Sequence, residues 1–111
     1  MKRIEAFIQP HRLAKVVSAL HALPAFPGFT ILDAHGQGHG RGTGGHFAYE
    51  SNEGLLYHKR LCLLIICENG EATAVATAVA KAAHTGKSGD GLIAISDIRQ
   101  VLRIRDGGEY Q

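Results

Sequence analysis

Leu61-Cys62-Leu63-Leu64-Ile65-Ile66-Cys67 is apolar at every position and is closed by the turn-forming Glu68-Asn69-Gly70. A run this short, rich in aliphatic residues, reads as a strand. Side chains alternate across a strand, so both faces of this one call for burial. Downstream, Ala72, Val75, Ala76, Val79, Ala80 and Ala83 recur at helical spacing and give a helix with one apolar stripe. The turn-rich His84-Thr85-Gly86-Lys87-Ser88-Gly89-Asp90-Gly91 then leads into a strand over Leu92-Ile93-Ala94-Ile95. Upstream, Ile4, Ala6 and Ile8 alternate through a first strand over Arg3 to Gln9. Pro10 opens a helix whose stripe is Leu13, Val16, Val17, Leu20 and Leu23, and Pro24 and Pro27-Gly28 end it. Phe29 to Ala34 is a second strand. Val101-Leu102-Arg103-Ile104-Arg105 reads as a short fifth strand or a terminal extension.

The order is therefore strand, helix, strand, loop, strand, helix, strand. Two strand-helix-strand halves predict an α+β, ferredoxin-like βαββαβ fold, a four-stranded antiparallel sheet with both helices on one face. Helices on one face leave the other face of the Leu61 to Cys67 strand uncovered, which predicts a homo-oligomer packed through its sheets.

The 111 residues, 45% apolar and 20% charged, suit one globular domain spanning 1–111. Twelve Lys and Arg against ten Asp and Glu leave a net charge of +2, with no basic cluster that would mark a nucleic-acid surface. No apolar run reaches the ~20 residues of a membrane helix, so no direct membrane insertion is expected. Met1-Lys2-Arg3 leads into a strand pattern and not a signal-peptide core, and a cytoplasmic protein is the expectation. Cys62 and Cys67 are separated by an odd number of positions on one strand, so they face opposite sides and are read as reduced packing residues.

Of the 14 glycines, eight fall between Gly28 and Gly54, which concentrates the excess in one long flexible loop at about 37–58. Gly40-Arg41-Gly42-Thr43-Gly44-Gly45 meets the bare dinucleotide-binding pattern, but no amphipathic helix follows it to hold a pyrophosphate. Gly86-Lys87-Ser88 imitates the end of a phosphate-binding P-loop, yet Lys81 stands where the first glycine belongs and the order is helix then strand. What this turn does offer is exposed backbone N–H groups beside a lysine, which suits an anion as well as it suits a tight connection. Arg103 and Arg105, two apart on the expected strand, would project from one face and clamp a phosphate together, or form a solvated pair. His35, His39, His46 and His58 lie in or beside the glycine-rich loop, where imidazoles suit a borderline metal ion, but no pair has zinc-motif spacing with cysteine. No Ser, Thr or Cys stands in a nucleophile's context, so the chain does not read as an enzyme.

Lys81-Ala82-Ala83-His84-Thr85-Gly86-Lys87-Ser88-Gly89-Asp90-Gly91, followed by Val101-Leu102-Arg103-Ile104-Arg105, resembles the signature of the P-II nitrogen-regulatory signalling family. Met1 to Pro10 resembles the family's start, and Gly28-Phe29-Thr30 with Gly36-Gln37-Gly38 its second strand and loop base. The resemblance implies a homotrimer that binds adenine nucleotides, ADP, AMP or ATP, in clefts between subunits and signals by moving its long loop against a target protein. By position, it implies that Thr30 and Ile66 line the adenine pocket. Gly36, Gln37, Gly38 and His39 then admit the nucleotide at the loop base. Gly89, Asp90 and Gly91 contact phosphate and ribose, and Arg103 with Arg105 holds phosphates from the adjoining subunit.

Two departures bear on the ligand. His39-Gly40 stands where oxoglutarate-sensing members carry an Arg-Gln pair, so oxoglutarate sensing is not implied. Leu92 stands where a phosphate-binding lysine usually follows the Gly-Asp-Gly turn, which favours ADP or AMP over triphosphate, with Lys59 or Arg60 as a replacement cation. Tyr49 and Ser51 lie outside the family's modification sequence, so uridylylation is not expected. Such divergence resembles branches associated with membrane transporters for metal efflux or bicarbonate uptake. The alternative is a direct metal-binding trimer of the same fold, similar to copper-tolerance proteins, using His35, His39 and His46.

Overall fold

The computed structural model describes residues 1–36 and 58–110. Among them four strands and two α-helices follow the expected order: β1 (Lys2–Ile8), α1 (Leu13–His21), β2 (Thr30–Gly36), β3 (His58–Cys67), α2 (Ala72–Ala83) and β4 (Gly91–Asp97). Pro10, whose missing N–H costs nothing in a first turn, opens a 3-10 turn, Pro10–Arg12, that runs directly into α1. The strands lie in the order β2-β3-β1-β4, every neighbouring pair antiparallel, which is the ferredoxin-like arrangement.

Register shows why the sequence folds this way. Ile4, Ala6 and Ile8 of β1 and Leu63, Ile65 and Cys67 of β3 share the face that the helices cover, and all are buried. Val16 and Leu20 of α1 and Ala72, Val75, Val79 and Ala83 of α2 close over them to complete one core. Leu23 lies beyond the end of α1 but still packs against this core. The Arg12 guanidinium donates to the Ala82 carbonyl at 3.1 and 2.8 Å, satisfying a free carbonyl at the end of α2 and tying the two halves together.

The opposite face carries no helix. Leu32, Cys62, Phe7 and Leu92 form one cross-strand row there, and Thr30, Leu64, Glu5 and Ala94 form the next. Leu32 is 50% exposed and Leu92 61%. Cys62 sits on this face and Cys67 in the core, so the two thiols point to opposite sides, both buried and unbridged. Burial, aided by Glu5 at Cys62 and by Glu71 and Glu68 at Cys67, pushes both thiols above their ordinary value, which keeps them protonated and unreactive at neutral pH.

Of the two readings of residues 101–105, a short fifth strand or a terminal extension, the extension is found. Residues 104–106 are a turn, and Leu102 bridges only to Glu109. Val101-Leu102-Arg103-Ile104-Arg105 has a strand's alternation, but Asp106-Gly107-Gly108 reverses the chain at once, with Gly107 at φ +70. The long loop expected at about 37–58 lies outside the described residues apart from His58, which is already the first residue of β3 and pairs with Gly36 at the loop base.

Candidate functional site

One end of the sheet gathers most of the described candidates. Gly36 and His58 form the last pair of β2 and β3, Arg60 lies two residues further along β3, and Ile8 pairs with Gly91 at the start of β4. The connection from α2 to β4 arrives at this same end. Its Gly89 carbonyl accepts hydrogen bonds from Gln9 Nε2 at 2.8 Å and Arg60 Nη2 at 3.1 Å. Arg60 Nη1 is anchored on the Lys59 carbonyl at 2.8 Å. A guanidinium thus stands beside the Gly89-Asp90-Gly91 turn, and the Arg60 side of the sheet is the open one.

Asp90 organises the turn from inside. Its carboxylate accepts the backbone N–H groups of Thr85 at 3.1 Å and Gly86 at 3.2 Å, and the Thr85 hydroxyl donates to its other oxygen. His84 Nδ1 lies 3.5 Å away. The Thr85 N–H, with those of Gly86 and Lys87 and the nearby His84, holds the Asp90 carboxyl below its ordinary 3.8. The Asp90 side chain is therefore committed to shaping the turn, whose Lys87 and Ser88 are exposed. Gly91, at φ +121, is required for a different reason: a Cβ there would collide with the Phe7 carbonyl oxygen. A cleft of about 240 Å³ opens between the end of α2 and the start of β4, with Ala83, His84, Asp90, Leu92 and Ile93 in its walls.

Thr30 and Ile66 come to the open face as the alternation of their strands requires, Thr30 opposite Leu64 and Ile66 one step beyond it. They stand nearer the other end of the sheet than Gly89. Arg103 and Arg105 do not form a same-face pair on a strand. Arg103 lies just before the 104–106 turn and its side chain is held by Asp106 and by the Glu109 carbonyl, while Arg105 is exposed within the turn. Gln37, Gly38, His39 and His46 lie outside the described residues, and no group of three His, Cys, Asp or Glu capable of holding a metal occurs among the described ones. Among the described residues, no helix is long and apolar enough to cross a membrane.

Reading the sequence alone missed four contributors. Gln9 donates to a backbone carbonyl, Thr85 donates to the Asp90 carboxylate and Asp106 accepts from an arginine, none of which periodicity reveals. Arg12 looks like an ordinary helix residue until α2 is packed beside it. Asp106-Gly107 was the one available signal, since that dipeptide marks a turn.

The four-stranded antiparallel sheet with its Asp90-organised turn at the end of α2 defines a ferredoxin-like domain. A family profile described as Nitrogen regulatory protein P-II matches residues 1–108. A Nitrogen regulatory protein P-II of Azospirillum brasilense is 34% identical over 108 residues, 96% of this chain and 94% of that protein. One of Rhizobium meliloti is 35% identical over the same span and coverage. The crystal structure of Arabidopsis thaliana PII bound to citrate superposes with a TM-score of 0.77 at 23% identity, covering 99% of this chain and 85% of that one, a likeness of fold. The chain belongs to the P-II nitrogen regulatory family, whose members are regulatory signalling proteins that bind adenine nucleotides and control partner proteins.

Proposed function

We propose that this protein is a nucleotide-responsive regulator: a homotrimer that binds ADP, AMP or ATP between its subunits and controls a target protein through residues 37–58. The open sheet face, apolar across Leu32, Cys62, Phe7 and Leu92, supports assembly through the sheets. The adenine-binding roles of Thr30 and Ile66, the loop-base roles of Gly36, Gln37, Gly38 and His39, and the phosphate roles of Gly89, Asp90, Gly91, Arg103 and Arg105 are carried over from the family by position.

The observation that carries the reading is Arg60 at the Gly89 carbonyl. With Leu92 in the place of a lysine, the start of β4 brings no cation; besides Lys87 within the turn, the Arg60 guanidinium supplies one on the open side of the sheet, where its planar fork suits a phosphate. Asp90 acts through the turn, holding the backbone in position, instead of contacting the ligand with its carboxylate. The partner we favour is a membrane transporter, for metal efflux or bicarbonate, with the protein itself in the cytoplasm.

Isothermal titration with ATP, ADP and AMP, each with and without 2-oxoglutarate and bicarbonate, tests this. ADP or AMP is expected to bind with an affinity that oxoglutarate leaves unchanged, and Arg60→Ala is expected to weaken that binding by roughly tenfold, the scale of one charge-assisted contact. Absence of binding by all three nucleotides rejects the reading.

A further inference from the structure

Arg103 is engaged within its own chain. Its Nε and Nη2 donate side by side to the Asp106 oxygens Oδ1 and Oδ2, each at 3.3 Å, and Nη1 donates to the Glu109 carbonyl at 2.9 Å. The surrounding backbone is shaped to hold it there. Arg103 N–H donates to the Gly108 carbonyl at 2.8 Å, Gly107 N–H to the Arg103 carbonyl at 2.8 Å, and Gly108 N–H to Asp106 Oδ1 at 2.8 Å. The guanidinium lies so close over Gly108 that a Cβ there would sit 2.8 Å from Nη2.

We propose that Asp106 is a built-in competitor for Arg103, a carboxylate occupying the same guanidinium edge that a nucleotide phosphate would take, so that it lowers nucleotide affinity and sets which ligands capture the arginine. The proposal rests on the nucleotide-binding reading above. One edge of a guanidinium forms one side-by-side pair of hydrogen bonds, and carboxylate and phosphate both fit it. A ligand that needs this edge binds with its intrinsic affinity multiplied by the fraction of molecules in which the edge is free. Ligands differ in what they offer in exchange: adenosine has no phosphate for Arg103, whereas ADP and ATP bring several anionic oxygens. Asp106 therefore acts as a positioning residue that lowers the affinity of phosphate-bearing ligands and narrows their advantage over adenosine. The pair is half exposed, so its effect is modest and falls as salt rises.

Calorimetric titration of the full chain with ADP, ATP and adenosine, for the unaltered protein, Asp106→Asn, Arg103→Ala and the double variant, tests the proposal. Asparagine keeps an oxygen for the Gly108 N–H, so the hairpin is retained while the competing charge is removed. Asp106→Asn is expected to bind ADP and ATP roughly two- to fivefold more tightly, the range of an exposed ion pair, and to leave adenosine unchanged. In the Arg103→Ala background the same substitution is expected to bring no gain. Gly108→Ala, which crowds the guanidinium without altering charge, is expected to move affinity in the same direction as Asp106→Asn. Unchanged ADP and ATP affinity in Asp106→Asn overturns the competition while leaving nucleotide binding in place, and a gain that persists without Arg103 overturns it by showing a general charge effect. Failure of the unaltered protein to bind any of the three removes the nucleotide reading and this inference with it.

Discussion

The two faces of the sheet are built from the same strands and meet different fates. On one face Ile4, Ala6, Ile8, Leu63 and Ile65 are sealed under α1 and α2. On the other, Leu32 and Leu92 stay half or more exposed beside Phe7 and the buried Cys62. Both faces of β3 are apolar, yet one chain supplies helices for only one of them. The difference teaches that alternate residues of one strand serve two surfaces, one sealed inside the subunit and one apolar and open, which is the surface on which the proposed assembly rests.

Substitutions on alternate residues should separate the two roles. Ile65→Ala on the covered face is expected to cost about 2–5 kcal/mol of unfolding free energy, because a fully buried side chain leaves a cavity among residues that cannot all relax. Denaturant titration reads it; a loss well below 1 kcal/mol would mean the helix-covered face is not the core. Leu32→Lys on the open face is expected to leave the far-ultraviolet circular dichroism unchanged and to weaken association by about 1–2 kcal/mol per subunit, the worth of burying that leucine at an interface. Loss of secondary structure in this variant would show that the open face belongs to the subunit's own fold.

The smallest effect lies at the margins, where Asp90, Asp97 and Asp106 all have carboxyls held below 3.8, chiefly by the Thr85 N–H, the Lys2 ammonium and the Gly108 N–H respectively. A depressed folded value means that the stabilisation is complete above 3.8 and is lost as pH falls through the lower folded values. Melting temperature should therefore not change through these groups between pH 7 and 5, and should fall below about pH 4. Asp90→Asn should flatten that acid limb; an unaltered limb would mean that Asp90 does not hold the turn.

Elements with many cooperating residues were legible in the sequence. The apolar run of β3, the alternation of Ile4, Ala6 and Ile8, and the Val75 and Val79 stripe each repeat a geometric period, and the strand order followed from them. The exposed face was legible too, since an all-apolar strand cannot be satisfied by helices on one side. Of the two readings open for Val101 to Arg105, the terminal extension holds and the strand does not, because the segment carries a strand's period with no partner strand and the Asp106-Gly107 turn overrules it. The pairing of the candidate site's glycines and arginines was not legible. That Arg60 meets Gly89 across 29 residues, and that Arg103 meets Asp106, are facts of folded geometry that no spacing rule encodes.

Sedimentation velocity at micromolar concentration tests most directly the claim that the open face is covered by copies of this chain. A single species of about three times the 11.9 kDa chain mass is the predicted result. A species at 11.9 kDa under the same conditions would contradict it, and would leave the clefts between subunits, and the nucleotide site assigned to them, without a structure to occupy.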